Sequence, residues 1–283
     1  MTTLSVTPIA GALGAEVAGV NLSEPLGDNM LAQIRGALLA HSVIFFHDQQ
    51  ITPEQQITFA RRFGDIHLHP FIKGLDKYPE IIEIIKQESD TRNFGGTWHT
   101  DQMFNRKPAM GTLLYAHETP DAGGDTMFAS GYAAYEALSD GMKELLGKLQ
   151  THNTGDRFKH SGGLTREETM RQGTSMQPKK PDSGQDTEAE HPLIRTHPQT
   201  GRKSLYIGSH TQRFAGMTDA ESEPLLNYLQ AYAVRPEFTC RFRWRPGSIA
   251  FWDNRCTQHF AVDDYPGKRR RMHRITIAGD EPF

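Results

Sequence analysis

The stretch Gly95-Gly96-Thr97-Trp98-His99-Thr100-Asp101 places an imidazole and a carboxylate two residues apart. In an extended chain alternate side chains share a face, so His99 and Asp101 would offer a ring nitrogen and a carboxylate oxygen side by side. Taken alone, the pair also fits a surface histidine beside a turn aspartate. A second histidine, His259, stands 160 residues later in Trp252-Asp253-Asn254-Arg255-Cys256-Thr257-Gln258-His259-Phe260. Only a β-fold that brings distant strands together could exploit that separation. Two histidines and one carboxylate on one face leave coordination positions open, the facial arrangement of non-haem Fe(II) sites. Structural zinc normally takes four protein ligands, usually including thiolates, and Cys240 and Cys256 fit no such spacing.

The elements that must position these residues are legible in outline. Leu31, Ile34, Leu38 and Leu39 recur at helical spacing, and the chain then switches to Ser42-Val43-Ile44-Phe45-Phe46, which reads as a buried strand. Thr52-Pro53-Glu54-Gln55 is a capping box with proline at the first helical position, opening a helix that ends at Phe63-Gly64. Strand candidates follow in EIIEIIK, MGTLLYAHE and DAGGDTMFA, the last two linked by Thr119-Pro120-Asp121; a helix is expected from Ala133 to Leu149, with Ser139 capping its second half. Thr218-Asp219-Ala220-Glu221 opens another helix, through Ala233. Phe238, Cys240, Phe242 and Trp244 then alternate with Thr239, Arg241, Arg243 and Arg245, a half-buried strand that a Pro246-Gly247 turn joins to Ser248-Ile249-Ala250-Phe251-Trp252.

Between residues 151 and 190 the text turns polar and rich in Gly, Pro, Ser and charge, which reads as a lid or insertion within a single domain spanning residues 1–283. Many short strands with Gly/Pro turns and a few helices point to a mainly β fold, a sandwich or jelly roll buttressed by helices. A formal net charge of −3 gives no reason to expect a nucleic-acid or membrane-surface partner. The apolar runs fall far short of the roughly 18 residues that span a bilayer. Two cysteines are too few for a disulfide scaffold and the opening carries no secretory pattern, so a reducing, cytoplasmic location is expected. Nucleotide and serine-hydrolase chemistry lack their signatures: there is no GxSxG, Walker loop or dinucleotide fingerprint.

WHTD, GGDTMFAS with AYEALS, HPLIRTHPQTGRKSLYI, WDNRCTQH and RRRMHR follow one another in an order and spacing that resemble the Fe(II)/2-oxoglutarate dioxygenases of the TauD/TfdA family, typified by taurine dioxygenase and the aryloxyalkanoate herbicide dioxygenases. The likeness extends to the opening VTPIAGALGAEVAGVNL and covers nearly the whole chain. It implies a double-stranded β-helix (jelly-roll) core with flanking helices, Fe(II) and O2 as cofactor and oxidant, 2-oxoglutarate as cosubstrate, and hydroxylation of a small organic anion coupled to release of succinate and CO2. It also implies a homo-oligomer, dimer or tetramer.

Carried over by motif, His99, Asp101 and His259 match the iron ligands, Arg270 and Thr126 the partners of the distal carboxylate of 2-oxoglutarate, Arg274 the arginine that holds the anionic head of the substrate, and His69 a histidine of the substrate pocket. Without the resemblance, Arg270 and Arg274 read as a solvated basic face and Thr126 as an ordinary strand threonine. Two departures bear on the substrate. Gly95 stands where taurine dioxygenase has asparagine, and Ile72 where it has tyrosine. Both changes remove polar contacts and leave apolar room, which favours a bulkier anion than taurine: a sulfonate, sulfate ester, aryloxyalkanoate or other carboxylate. Phe158 and either His210 or Thr211 are further candidates for the pocket. A non-catalytic jelly roll that binds metal through the same three ligands is the rival reading.

Overall fold

Val43–Phe46 is buried at every position, and the reason is its place in the middle of a sheet that is covered on both faces. In the computed structural model, which describes residues 4–156 and 165–283, seven strands run in the order Ser5–Pro8, Ala15–Ala18, Val43–Phe46, Ile249–Asp253, Gly111–Glu118, Arg270–Ile277, Ile82–Lys86. All neighbours are antiparallel except Ala15–Ala18 beside Val43–Phe46. Alternate residues serve two cores. Ile44, Phe46, Ile249, Phe251, Leu113, Ile275 and Ile277 face the helices Asp28–His41 and Pro53–Arg61, which contribute Leu31, Ile34, Leu38 and Phe59.

Val43, Phe45, Ala250, Trp252, Leu114, Ala116 and Met272 face the other way, onto Phe128, Cys240, Phe242 and Trp244. These last belong to or follow a second sheet, in the order Thr239–Phe242, Thr126–Ser130, Thr257–Ala261. Phe45 stacks on Phe242 at 4.0 Å between ring centroids and meets Phe128 edge-on at 5.6 Å, so aromatic side chains set the spacing of the two layers. The pair of sheets is the jelly-roll core. Helix Asp219–Ala233 builds a third apolar cluster with Leu193, Leu205, Ile207 and Phe214.

Several expectations shift in detail. The helix expected from Ala133 to Leu149 is two helices, Gly131–Glu136 and Asp140–Leu146, because the hydroxyl of Ser139 accepts a hydrogen bond from Met142 N and holds an extended backbone between them. The helix after Thr52 stops at Arg61. The ladder beyond Pro236–Phe238, a 3-10 turn, covers only Thr239–Phe242, although alternate burial continues through Trp244. Within the polar stretch, Gln150–Thr154 pairs antiparallel with Glu188–Pro192, so its two ends are hydrogen-bonded to each other, and a helix spans Arg166–Arg171 between them.

Three histidines outside the ligand set are neutral in the fold. Burial pushes His191, whose Nε2 sits on the carbonyls of Met103 and Asn105, down to about 4. Burial, with Arg271 nearby, does the same for His117 and His273, whose rings lie 4.0 Å apart. The unfolded chain therefore takes up protons first, and stability present above the ordinary histidine pKa of about 6.5 is lost as pH falls through 4. Urea midpoints measured from pH 7.5 down to pH 4.5 are expected to fall, most steeply below pH 6.5; a flat profile would contradict the neutral assignment.

Candidate metal and anion site

His99 and His259 meet as an isolated antiparallel bridge: His99 N donates to His259 O at 3.1 Å and His259 N to His99 O at 2.8 Å. This two-bond contact closes the 160-residue gap and puts the two rings 4.1 Å apart. Asp101 does not share a regular strand with His99, as alternation suggested; the chain leaves the bridge at once and enters a turn, with Gln102 in the left-handed region at φ 55. The two side chains still converge. Asp101 Oδ1 lies 3.8 Å from Nε2 of His99 and 3.8 Å from Nε2 of His259, and the ligand atoms of all three residues fall within 4.8 Å of one another. Among the described residues no other group of three histidine, cysteine or carboxylate side chains is this close.

The donor set suits a divalent metal. His99 Nδ1 donates to the carbonyl of Thr97 at 2.6 Å, which leaves Nε2 as the lone-pair nitrogen. Burial lowers the pKa of both histidines, so each presents a neutral ring. Burial alone would raise the carboxyl of Asp101, but Arg274, His259, His99 and the Thr112 hydroxyl more than offset it and hold the group well below the usual carboxylate range. Arg274 Nη2 lies 3.0 Å from Asp101 Oδ1 and donates to Thr276 Oγ1 at 3.4 Å.

Arg270 and Arg274 come from one strand, Arg270–Ile277, where even-numbered residues face the second sheet. Both are about 95% buried, so they do not belong to a solvated face; Lys268 and Arg269 are exposed and Arg271 is half-buried. Nε and Nη2 of Arg270 have no hydrogen-bond partner among the described residues. Asp125, the nearby carboxylate, is engaged by Arg241 Nε at 2.6 Å. Trp244 connects Arg270 to Thr126: its ring lies 5.7 Å from the guanidinium, and its indole N–H donates to Thr126 Oγ1 at 2.9 Å. Because that bond occupies an acceptor position, the Thr126 hydroxyl proton is left to donate elsewhere. Buried, under-satisfied N–H groups on a cation beside a donor hydroxyl form a receptor for a carboxylate.

A cavity of about 160 Å³ opens on His99, lined by Gly95, Phe94, Arg166, Met170 and His210 among others. His210 therefore lines it, whereas Thr211 turns into the sheet and donates to Asn153 Oδ1. Ile72 is buried in the inter-sheet core, in the same cluster as Met170. His69 is buried, with Nδ1 accepting from Phe71 N, and burial together with Arg274 and Arg166 holds it neutral. Phe158 lies outside the described residues. The sequence reading missed Arg166, whose guanidinium sits 4.8 Å from the Phe71 ring centroid and 5.5 Å from that of Phe104 and donates to Gly155 O at 2.7 Å. The signal was there: Thr165 and Glu168 form a capping box like those at Thr52 and Thr218.

The family model described as "Taurine catabolism dioxygenase TauD, TfdA family" matches residues 5–276. An alpha-ketoglutarate-dependent sulfate ester dioxygenase of Pseudomonas putida is 34% identical over 99% of this chain and 91% of the relative. An (S)-phenoxypropionate/alpha-ketoglutarate-dioxygenase of Sphingobium herbicidovorans is 32% identical over 97% and 95%. Among solved structures, a taurine dioxygenase from Burkholderia xenovorans superposes with a TM-score of 0.82 at 35% identity, covering 99% of this chain and 92% of its own. AAD-2 in complex with Mn(II) and N-oxalylglycine gives 0.78 at 30%, covering 99% of each. These names side with the catalytic reading over a non-catalytic metal-binding jelly roll.

Gly95 has φ +85, and a Cβ there would meet His99 Cε1 at 3.5 Å and Ala261 Cβ at 3.7 Å, ordinary contacts. Gly95→Ala is expected to cost about 1 kcal/mol in urea unfolding through backbone strain, with divalent-metal affinity retained. A large loss of metal affinity would show that the position supports the His99 ring and not only the cavity wall.

Proposed function

Because the chain belongs to the TauD/TfdA dioxygenase family, we propose that it hydroxylates a small organic anion while 2-oxoglutarate is converted to succinate and CO2. In this reading His99, Asp101 and His259 hold Fe(II), Arg270 and Thr126 receive the far carboxylate of 2-oxoglutarate, and Arg274 meets the anionic head of the substrate. The observation that carries it is the buried guanidinium of Arg270, with two nitrogens unpartnered among the described residues, in the same inter-sheet space that holds a three-ligand cluster. A buried cation in that state wants an anion, and a planar guanidinium suits a carboxylate. The Mn(II) and N-oxalylglycine carried by AAD-2 are a divalent metal and a dicarboxylate, which supports the same division of roles.

Iron, when bound, supplies the redox chemistry with O2 that no side chain here can perform. The protein's share is placement. Arg270 and Thr126 fix one end of the cosubstrate; Arg274 and the neutral His69 flank the space where the substrate's charge would sit; the aromatic and aliphatic layer between the sheets excludes water. Gly95, Phe94 and Met170 give the cavity apolar walls, which supports an anion bulkier than taurine. The relatives named for a sulfate ester and for a phenoxypropionate bracket that choice. A polar lid from the 151–190 stretch, a homo-oligomeric assembly and a cytoplasmic location complete the proposal; among the described residues no helix is long and apolar enough to cross a membrane.

The test is succinate formation by the purified protein with Fe(II), O2 and 2-oxoglutarate against a panel of alkyl sulfates, sulfonates, aryloxyalkanoates and simple carboxylates. One class should stimulate turnover strongly, and His259→Ala should abolish it; iron-independent turnover, or none with any anion, would refute the assignment. Arg270→Ala is expected to raise the 2-oxoglutarate KM roughly 100-fold, the scale of losing a charge-assisted bidentate pair. Arg274→Ala should instead raise the KM of the anion about 10- to 100-fold. Equal effects of either change on both KM values would sink the division of labour.

A further inference from the structure

Asp101 is held from behind by a relay of three side chains that the family roles leave unused. Thr112 Oγ1 donates to Asp101 Oδ2 at 2.7 Å. Asn254 Nδ2 donates to Thr112 Oγ1 at 3.0 Å, and Asn254 Oδ1 accepts from the Trp252 indole at 2.9 Å and from Asp101 N at 3.3 Å. All four residues are 98% buried or more. The polarity of the relay is forced. An indole N–H can only donate, so the oxygen of the Asn254 amide must face Trp252 and its NH2 must face Thr112. Thr112 then accepts from the amide and has its single proton left for the carboxylate, which when ionised can only accept.

We propose that Trp252, Asn254 and Thr112 are positioning residues that commit Oδ2 of Asp101 to the protein and so present Oδ1 alone to the metal. This rests on the reading of Asp101 as a ligand. Oδ1 is the oxygen that lies 3.8 Å from both histidine Nε2 atoms, with the Arg274 guanidinium beside it at 3.0 Å. A carboxylate free to turn could offer both oxygens and occupy a coordination position that cosubstrate and oxygen need; Oδ2 bonded to Thr112 cannot. The sheet supplies the geometry. Trp252, Thr112 and Thr276 are cross-strand partners on one rung, so one row of inward side chains reaches Asp101 through the Thr112 hydroxyl and Arg274 through the Thr276 hydroxyl. Trp252 also lies 4.6 Å from the His259 ring, which ties two of the three ligands to a single indole.

The experiment is anaerobic titration of the full chain with Co(II), read by affinity and by the visible d–d spectrum, which reports coordination number without turnover. Thr112→Val keeps the shape and removes the donor; it is expected to weaken Co(II) binding 10- to 100-fold, the range for loss of a ligand's hydrogen-bond partner, and to alter the spectrum, while Thr112→Ser restores both. Trp252→Phe removes the N–H that orients Asn254, together with part of the ring packed beside His259, and should weaken binding several-fold, so that unchanged binding in it still overturns the relay if Thr112→Val does not fold. Wild-type affinity and spectrum in Thr112→Val or Trp252→Phe, or a serine variant as impaired as valine, would overturn the relay. Wild-type protein that binds Co(II) no better than His259→Ala would overturn the ligand assignment beneath it.

Discussion

A buried carboxylate that stays ionised is the constraint on which the site is built. Asp101 is 2% exposed, and an isolated charge so placed would protonate or drive the chain apart. It survives because a guanidinium, two imidazoles and a hydroxyl surround it. Three of those four groups are themselves fixed by a neighbour: Arg274 by Thr276, His99 by the Thr97 carbonyl, Thr112 by Asn254. Removing one partner leaves a charge or a donor stranded in the interior, so the cluster behaves as a unit.

The β architecture makes such a cluster possible at modest cost. A strand presents alternate side chains to opposite faces, and Arg270–Ile277 uses that rule to send Arg270, Met272, Arg274 and Thr276 inward while Ile275 and Ile277 face the helices. One eight-residue strand thereby delivers two cations to the interior at a separation of four residues. The facing sheet returns His259 and Thr126 from neighbouring strands, and aromatic rings fill the space between. The chain therefore carries charge into the middle of the sandwich without giving up the apolar contacts that hold its layers together.

How much of this could be read beforehand varied with the range of the forces involved. The buried strand at Val43–Phe46, the capping boxes at Thr52 and Thr218 and the outline of the helices are local features, and local patterns revealed them. The ends were less legible: Ser139 was readable as a cap, but the apolar periodicity on either side of it read as one helix where there are two. Burial of Arg270 and Arg274 was invisible to charge patterning, since a run of arginines looks solvated until the partner strands are known. Thr112 and Asn254 carried no signal, because a threonine in an apolar strand and an asparagine in a turn each have commonplace explanations. His99 and Asp101 were brought together, but through a bridge and a turn instead of a strand.

The pairing of Gln150–Thr154 with Glu188–Pro192 has an evolutionary consequence. The ladder closes the excursion at its base, and since the entropy of closing a loop grows only slowly with its length, residues between the paired strands can be exchanged, lengthened or shortened with little penalty to the sandwich. Arg166 and Met170 reach the cavity from that excursion, whereas the three ligand candidates do not belong to it. Selection can thus change the wall of the cavity while leaving His99, Asp101 and His259 untouched, and a protein engineer can graft new segments at the same two seams.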